Sequence, residues 1–299
     1  MQFKRAWKQV DGVLLLDKPI GLTSNDALQK VRRLFSAAKG GHTGTLDPLA
    51  TGLLPLCFGE ATKFSADLLD ADKTYEAVLK LGVTTDSGDA EGRITATAAV
   101  DVDPEALPGV LARFTGDIRQ IPPMHSALKR DGRPLYELAR KGIEVEREAR
   151  AVTIHAIDLL DFAGDSLHLR IACSKGTYIR VLAADIGAAL GCGAHLAALR
   201  RTRVGDLDLP GAVTLADLEG LDEAGRMAHL QPVDALLRSL PVLRVEGEAA
   251  QRFRHGNPVD LPSGLLGKIR VYEGERLIGI GEPGSGERLW PKRLVQLAD

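Results

Sequence analysis

Strict alternation in "TYEAVLKLGV" limits what this chain can fold into more than any other feature. It places Tyr75, Ala77, Leu79 and Leu81 on one face of a strand and Glu76 and Lys80 on the other. "SLHLRIACSKG" alternates in the same way, whereas "GVLLLDKPIG" reads as a short buried strand, Val13 to Leu16, stopped by Pro19 and Gly21. Three helix patterns accompany these strands. "TSNDALQKVRRLF" offers caps at Thr23 to Asp26, and Ala27, Leu28, Val31, Leu34 and Phe35 follow helical spacing. "RPLYELARKG" is compact, with Pro134 suited to the first turn and Gly142 to the C-terminal cap. "TYIRVLAADIGAALG" is a helix ending at Gly191. The elements interleave irregularly and without a βαβ repeat, which predicts an α+β fold rather than a doubly wound sheet.

After about Leu240 the texture changes. "LPVLRV", "GKIRVY" and "RLIGIG" are short strand candidates separated by Gly/Pro-rich turns, the pattern of a small β-barrel-like module. The 299 residues are thus expected to divide into a body over 1–240 and a module over 241–299. The opening "MQFKRAWKQVDG" lacks the apolar run of a signal peptide, and no window reaches membrane-spanning length. Cys57, Cys173 and Cys192 are far apart and lack metal-ligand spacing, which suits a reducing, cytoplasmic compartment.

A formal net charge of −2 carries no global sign of a polyanionic partner. The distribution is less even. Met1 to His42 holds eight basic and three acidic side chains, and Arg119 to Ile143 six and two. Ser65 to Ile118 between them holds four basic and eleven acidic ones. Such asymmetry predicts a basic working face on a protein neutralised elsewhere.

Motifs for cofactor chemistry are few. There is no P-loop and no G-x-S-x-G elbow, and the seven histidines show no i, i+4 pairing of a zinc helix. The stretch "GGHTGTLDPLATG", residues 40–52, instead frames one acid, Asp47, with four glycines and three threonines. Asp-Pro by itself reads as a turn initiator.

The wider pattern tips that balance. "GGHTGTLDPLATGLLPLCFGEATKF" closely resembles the central motif of the TruB family of tRNA pseudouridine synthases. So do "LLLDKPIGLTSND", "DKTYEAVLKLGVTTDSGDAEG", "IPPMHSALKRDGRPLYELARKG" and "CSKGTYIRVLAADIG", in the family's order over roughly residues 10 to 205. The tail resembles the PUA-like RNA-binding domain of the bacterial members. The resemblance implies a mixed, mainly antiparallel central sheet with flanking helices. It also implies an isomerase that converts the T-loop uridine at tRNA position 55 to pseudouridine without cofactor or metal. Its partner is the tRNA T-arm stem-loop, and the chain is expected to be a monomer, away from any membrane.

Carried over motif by motif, Asp47 matches the family's catalytic aspartate and Arg180 the arginine that pairs with it. A paired arginine keeps a carboxylate ionised and fixes its direction. Tyr75 matches the tyrosine stacked on the target base, and Tyr178 and Leu199 match positions lining the uracil pocket. His42 matches the residue that takes up space when the base flips out of its stack. The glycines around Asp47 are expected to let the nucleotide approach the backbone. Lys18 and Pro19 belong to a family motif with a structural role, and His125 stands where relatives commonly carry an aromatic residue. The block 119–150 corresponds to an RNA-gripping insertion, in which Lys129, Arg130, Arg133, Arg140 and Lys141 would meet phosphates. Asp47 is open to attack at C1′, addition at C6, or assistance of elimination to a glycal. A non-catalytic RNA-binding or tRNA-folding protein would use the same basic face. A carboxylate glycosidase would need a second acid.

Overall fold

The computed structural model describes residues 6–296 except 125, 127, 131 and 140, and omits the side chains of 129, 130, 134 and 136. The chain begins with β1 (Gly12–Lys18), α1 (Ser24–Leu34), β2 (Gly40–His42), β3 (Ala50–Phe58), α2 (Ser65–Leu69) and β4 (Lys73–Leu81). A small hairpin, β5 (Val83–Thr85) and β6 (Ile94–Thr97), precedes α3 (Leu107–Ala112) and β7 (Gly116–Gln120). The basic segment forms a tight hairpin, β8 (Lys129–Arg130) and β9 (Arg133–Pro134), then α4 (Leu135–Ala139). β10 (Arg150–Ala163), β11 (Ser166–Cys173), α5 (Ile179–Ala189) and β12 (Ala194–Val204) complete the centre, followed by β13 (Leu207–Asp208), β14 (Val213–Thr214), α6 (Leu215–Gly220) and α7 (Glu223–Ala228).

The predicted caps form. Thr23 caps α1 by accepting from the Asp26 amide, and Ala27, Leu28 and Val31 are buried. Gly191, at φ +81°, closes α5 in the left-handed conformation. Pro134 ends β9, so α4 starts one residue later than the first-turn placement expected of it.

One sheet, in the order β14-β1-β3-β12-β4-β11-β10-β7, organises the body, with β2 added to β3 and β13 to β12. Only the β1–β14 and β12–β3 pairs are parallel, giving the mixed, mainly antiparallel sheet expected. β4 buries every second residue from Lys73 to Leu81 and leaves Glu76 and Lys80 partly exposed. β1 is covered on both faces. Leu14 and Leu16 join a core with Leu28, Leu54, Leu79, Leu182 and Ile186, while Val13 and Leu15 face a second core with Leu53, Phe64 and Leu237. Burial on both sides explains its uninterrupted apolar run.

The tail builds a separate sheet in the order β15-β17-β18-β19-β16, which curls into a half-barrel. Its strands are β15 (Val242–Arg244), β16 (Val259–Asp260), β17 (Ile269–Glu273), β18 (Arg276–Pro283) and β19 (Arg288–Leu294). An additional helix, α8 (Gly247–Arg254), is absent from the sequence reading because only Ala250 and Phe253 of "GEAAQRFR" are buried. The glycines of "GIGEPG", spaced like a nucleotide-binding fingerprint, lie along β18 and the turn after it, with no helix N-terminus to hold a phosphate.

The tail has a small core of its own around Phe253, Val271 and Leu289. It also sends Leu277, Ile280 and Val295 into the second core of the body, and the Leu294 carbonyl accepts from Lys63 at 2.9 Å. A chain ending at Leu240 would therefore expose the partners of those three side chains. Its thermal unfolding should show a loss of roughly 5 kcal/mol, taking about 1.5–3 kcal/mol per buried aliphatic residue. An unchanged melting temperature would show that the shared core adds nothing to the body. Among the described residues no helix is long and apolar enough to cross a membrane.

Candidate active site

Asp47 sits in the loop between β2 and β3, and hydrogen bonds to the backbone of Leu46, Asp47 and Pro48 hold that loop. Ser24, in the first turn of α1, donates to the Leu46 carbonyl at 3.1 Å and accepts from the Leu46 amide at 2.7 Å. The Gly21 amide donates to the Pro48 carbonyl, and the Ala50 amide to the Asp47 carbonyl. The Asp-Pro turn is thus closed by backbone, and the carboxylate is directed elsewhere. Lys18 is fully buried, and its ammonium holds the Pro19 and Leu22 carbonyls at 2.9 and 2.6 Å. Burial lowers its pKa to about 8, opposed by the charge of Asp47. This is the structural role expected of "DKPIG".

The carboxylate meets Arg180. Arg180 stands in the first turn of α5, with Nη2 3.1 Å from Asp47 Oδ2. Its Nη1 lies 3.4 Å from Asp89 Oδ2 and donates to the Ser87 carbonyl. The three differ in exposure: the side chains of Arg180 and Asp89 are 7% and 5% exposed, that of Asp47 44%. Asp47 is therefore an open-facing acid. Asp89 is the buried counter-ion. Its own Oδ1 accepts from Ser87 Oγ and from the Glu91 amide.

A cavity of about 270 Å³ opens beside this pair. Asp47, Tyr75, Tyr178, Arg180 and Leu199 all line it, so five of the six residues predicted at the catalytic pocket meet in one place. Tyr75 comes from the buried face of β4, and burial raises its phenol pKa while nearby Arg201 opposes the shift. Tyr178 caps α5, and the Gln120 side-chain amide at the end of β7 grips both its amide and its carbonyl. Burial raises the Tyr178 pKa as well. Leu199 is set by the strand register, paired with Ala77 on one side and Ala50 on the other.

His42 is the exception. It ends β2 opposite Leu56 and is not among the residues lining the cavity. Its Nδ1 is buried without a hydrogen-bond partner, and burial, with the charge of Arg201, lowers its pKa. Two of the glycines also pack against a neighbouring strand. Gly44 and Gly52, at φ +77° and +97°, face Arg201: a Cβ at Gly52 would lie 2.3 Å from its carbonyl oxygen. Gly44 also lines the cavity.

Of the residues expected to meet phosphates, Arg133 and Lys141 do not line the cavity. Gly132, at φ +78°, turns the β8–β9 hairpin, and Arg133 and Lys141 are exposed. Arg140, His125 and the side chains of Lys129 and Arg130 lie outside the described residues. Among the described residues no His/Cys/Asp/Glu group is arranged to hold a metal ion.

Asp89, Gln120, Ser24 and Arg201 are the residues that sequence reasoning missed. Asp89 is hidden among the acids of "TTDSGDAEG", and Arg201 reads as one surface charge in "RRTR". Register shifts at Leu196/Ala198 and Arg201/Arg203 in β12 turn Arg201 inward, which simple alternation cannot foresee.

The chain matches known proteins over its whole length. The family profile for TruB family pseudouridylate synthase (N terminal domain) matches residues 32–179. Profiles for the tRNA pseudouridylate synthase B C-terminal domain and for Pseudouridine synthase II TruB, C-terminal, match 180–238 and 241–295. A tRNA pseudouridine synthase B from Dechloromonas aromatica (strain RCB) is 81% identical over 299 residues, all of each chain. Another from Azoarcus sp. (strain BH72) is 59% identical over 99% of this chain and 98% of its own. Among solved structures, a chain of a Cbf5-Nop10-Gar1 complex aligns with TM-score 0.72 and 28% identity, over 95% of this chain and 84% of that one. A chain of an H/ACA RNP bound to a substrate RNA containing 2'-deoxyuridine aligns with TM-score 0.72 and 25% identity, over 96% and 85%.

Proposed function

Because the chain belongs to the TruB family of pseudouridylate synthases, we propose that Asp47, oriented by Arg180, is the group that rearranges the target uridine. The chain is an isomerase that converts uridine to pseudouridine in tRNA. In that reaction the N1–C1′ bond breaks and a C5–C1′ bond forms, while C5 loses its proton and N1 gains one. Nothing is oxidised or reduced.

The observation that carries the assignment is the Asp47–Arg180 pair at the mouth of a cavity walled by Tyr75. One carboxylate, half open to the cavity and held in direction by a buried guanidinium, is what a nucleophile or base for this step needs. Tyr75 offers its ring to the uracil, and Tyr178 and Leu199 bound the base. Asp89 is the buried partner of Arg180, and among the described residues lining the cavity Asp47 is the only acid, where a glycosidase would need a pair. Tritium release from tRNA carrying 5-tritiated uridine is the direct test. Release is expected from the native chain, and its absence would sink the assignment.

A uridine in the T-loop must leave its stack to enter the cavity, and His42, on the strand leading into the Asp47 loop, takes up space there. Lys129, Arg130, Arg133, Arg140 and Lys141 hold phosphates of the T-arm. The catalytic body over 1–240 and the PUA-like module over 241–299 bind one tRNA as a cytoplasmic monomer.

Replacing Lys129, Arg130 and Arg133 with Ala should weaken tRNA binding and flatten its salt dependence. The log–log slope should change by about 0.9 for each duplex phosphate no longer neutralised, or 0.7 for each single-strand phosphate. Filter binding across a salt series measures it. An unchanged slope removes the segment from the interface.

A further inference from the structure

Arg201 is buried to 1% exposure, yet it carries a guanidinium that stays charged at any ordinary pH. Its Nε donates to the Leu53 carbonyl at 2.8 Å and its Nη2 to the Gly44 carbonyl at 3.2 Å. Its direct cross-strand neighbour on β4 is Tyr75, and both line the same cavity. Among the described residues no carboxylate is paired with it. A buried cation held only by neutral oxygens is costly, and an apolar side chain of like volume would pack there at less expense. Both of its bonds to carbonyls are charge-assisted, so the cost is exchanged for a rigid junction.

What the junction joins is specific. Gly44 and Leu53 are the two ends of the segment that carries Asp47, and Tyr75 is the ring on the cavity wall. The surrounding backbone is shaped to admit the arginine. Gly44 and Gly52 both have positive φ, a Cβ on Gly44 would lie 3.3 Å from Arg201 Nη1, and one on Gly52 would overlap the Arg201 backbone. Parallel pairing of β12 with β3 stops at Arg201↔Gly52, which leaves the next carbonyl, Leu53, for the side chain.

We propose that Arg201 is a positioning residue that fixes the Tyr75 ring and the Asp47 loop to one another, so that platform and acid keep one spacing. The proposal rests on the reading of Asp47 and Tyr75 as the groups that act on the uridine. A native chain that released no tritium would end that reading before Arg201 came into question.

A double-mutant cycle tests it. Arg201→Gln should lower single-turnover tritium release by roughly tenfold or more, with coupling to Tyr75 of the size contacting residues show. Filter-binding affinity for the same tRNA should stay within about threefold, since phosphate contacts lie elsewhere. In a Tyr75→Phe background, which keeps the ring and removes the hydroxyl, Arg201→Gln should cost less than about threefold, because the group that would couple to the arginine is already gone. Arg201→Lys, which retains the charge on a single donor nitrogen, should recover part of the rate. Equal losses in both backgrounds would overturn the proposal and leave Arg201 a packing residue. Tyr75→Phe gives an independent readout should Arg201 variants fail to fold. Amide exchange at Leu46 and Ala50 is expected to quicken as the loop loses one anchor, and unchanged exchange would also overturn it.

Discussion

Asp47→Asn is expected to reduce single-turnover tritium release by a thousandfold or more, about 4 kcal/mol of transition-state stabilisation. The amide keeps the size of the carboxylate and removes both its charge and its nucleophilicity. Among the described residues lining the cavity Asp47 is the only acid, and Asp89 sits buried on another nitrogen of Arg180. Affinity for tRNA should hold within roughly tenfold, about 1.4 kcal/mol, because the loop makes no phosphate contact in this reading. Stability should barely move. With Asp47 44% exposed, its ion pair resembles a surface one, worth about 0–1 kcal/mol. The turn itself uses the Asp47 carbonyl, which asparagine retains. Tritium release and filter binding on one tRNA preparation, with a thermal melt, make the comparison. Near-normal turnover in the Asn variant would return Asp47 to the turn-forming role that Pro48 alone suggests.

Much of this arrangement was legible in the sequence, for identifiable reasons. Alternation over Lys73 to Leu81 placed Tyr75 on the buried face because β4 is covered on one side only. The capping signal at Thr23 marked α1 because a hydroxyl and an amide three residues apart meet locally. The gathering of Asp47, Tyr75, Tyr178, Arg180 and Leu199 was legible through resemblance alone, since they come from four segments with no common periodicity. What stayed hidden depends on long-range packing. The inward turn of Arg201 follows from irregular register in β12, and the burial of Asp89 from a loop laid against that strand by the Leu196–Gly88 and Ala90–Leu196 bonds. The tail's share in the body's core was hidden too, because Leu277, Ile280 and Val295 meet it through packing between segments far apart in sequence.

Removal of Arg180 should separate the two acids that flank it. Arg180→Ala leaves Asp47 partly solvated but strands Asp89, whose side chain is 5% exposed. A buried carboxylate deprived of its partner costs about 3–5 kcal/mol, and the Ser87 hydroxyl and Glu91 amide on Oδ1 place this case toward the lower end. Unfolding should therefore begin some 6–10 °C earlier, at roughly 2–4 °C per kcal/mol for a chain of this size. Turnover should fall by at least about a hundredfold, because the acid loses the group that aims it. The two losses have different origins, and a second substitution distinguishes them. Asp89→Asn in the Arg180→Ala background removes the stranded charge, so more than half of the lost stability should return. Turnover should remain at the level of the single variant, since nothing then orients Asp47. Recovery of turnover alongside stability would make Arg180 a structural counter-ion for Asp89 rather than the partner of the catalytic acid. An Arg180→Ala chain as stable as its parent would show that Asp89 is not the buried charge its surroundings indicate.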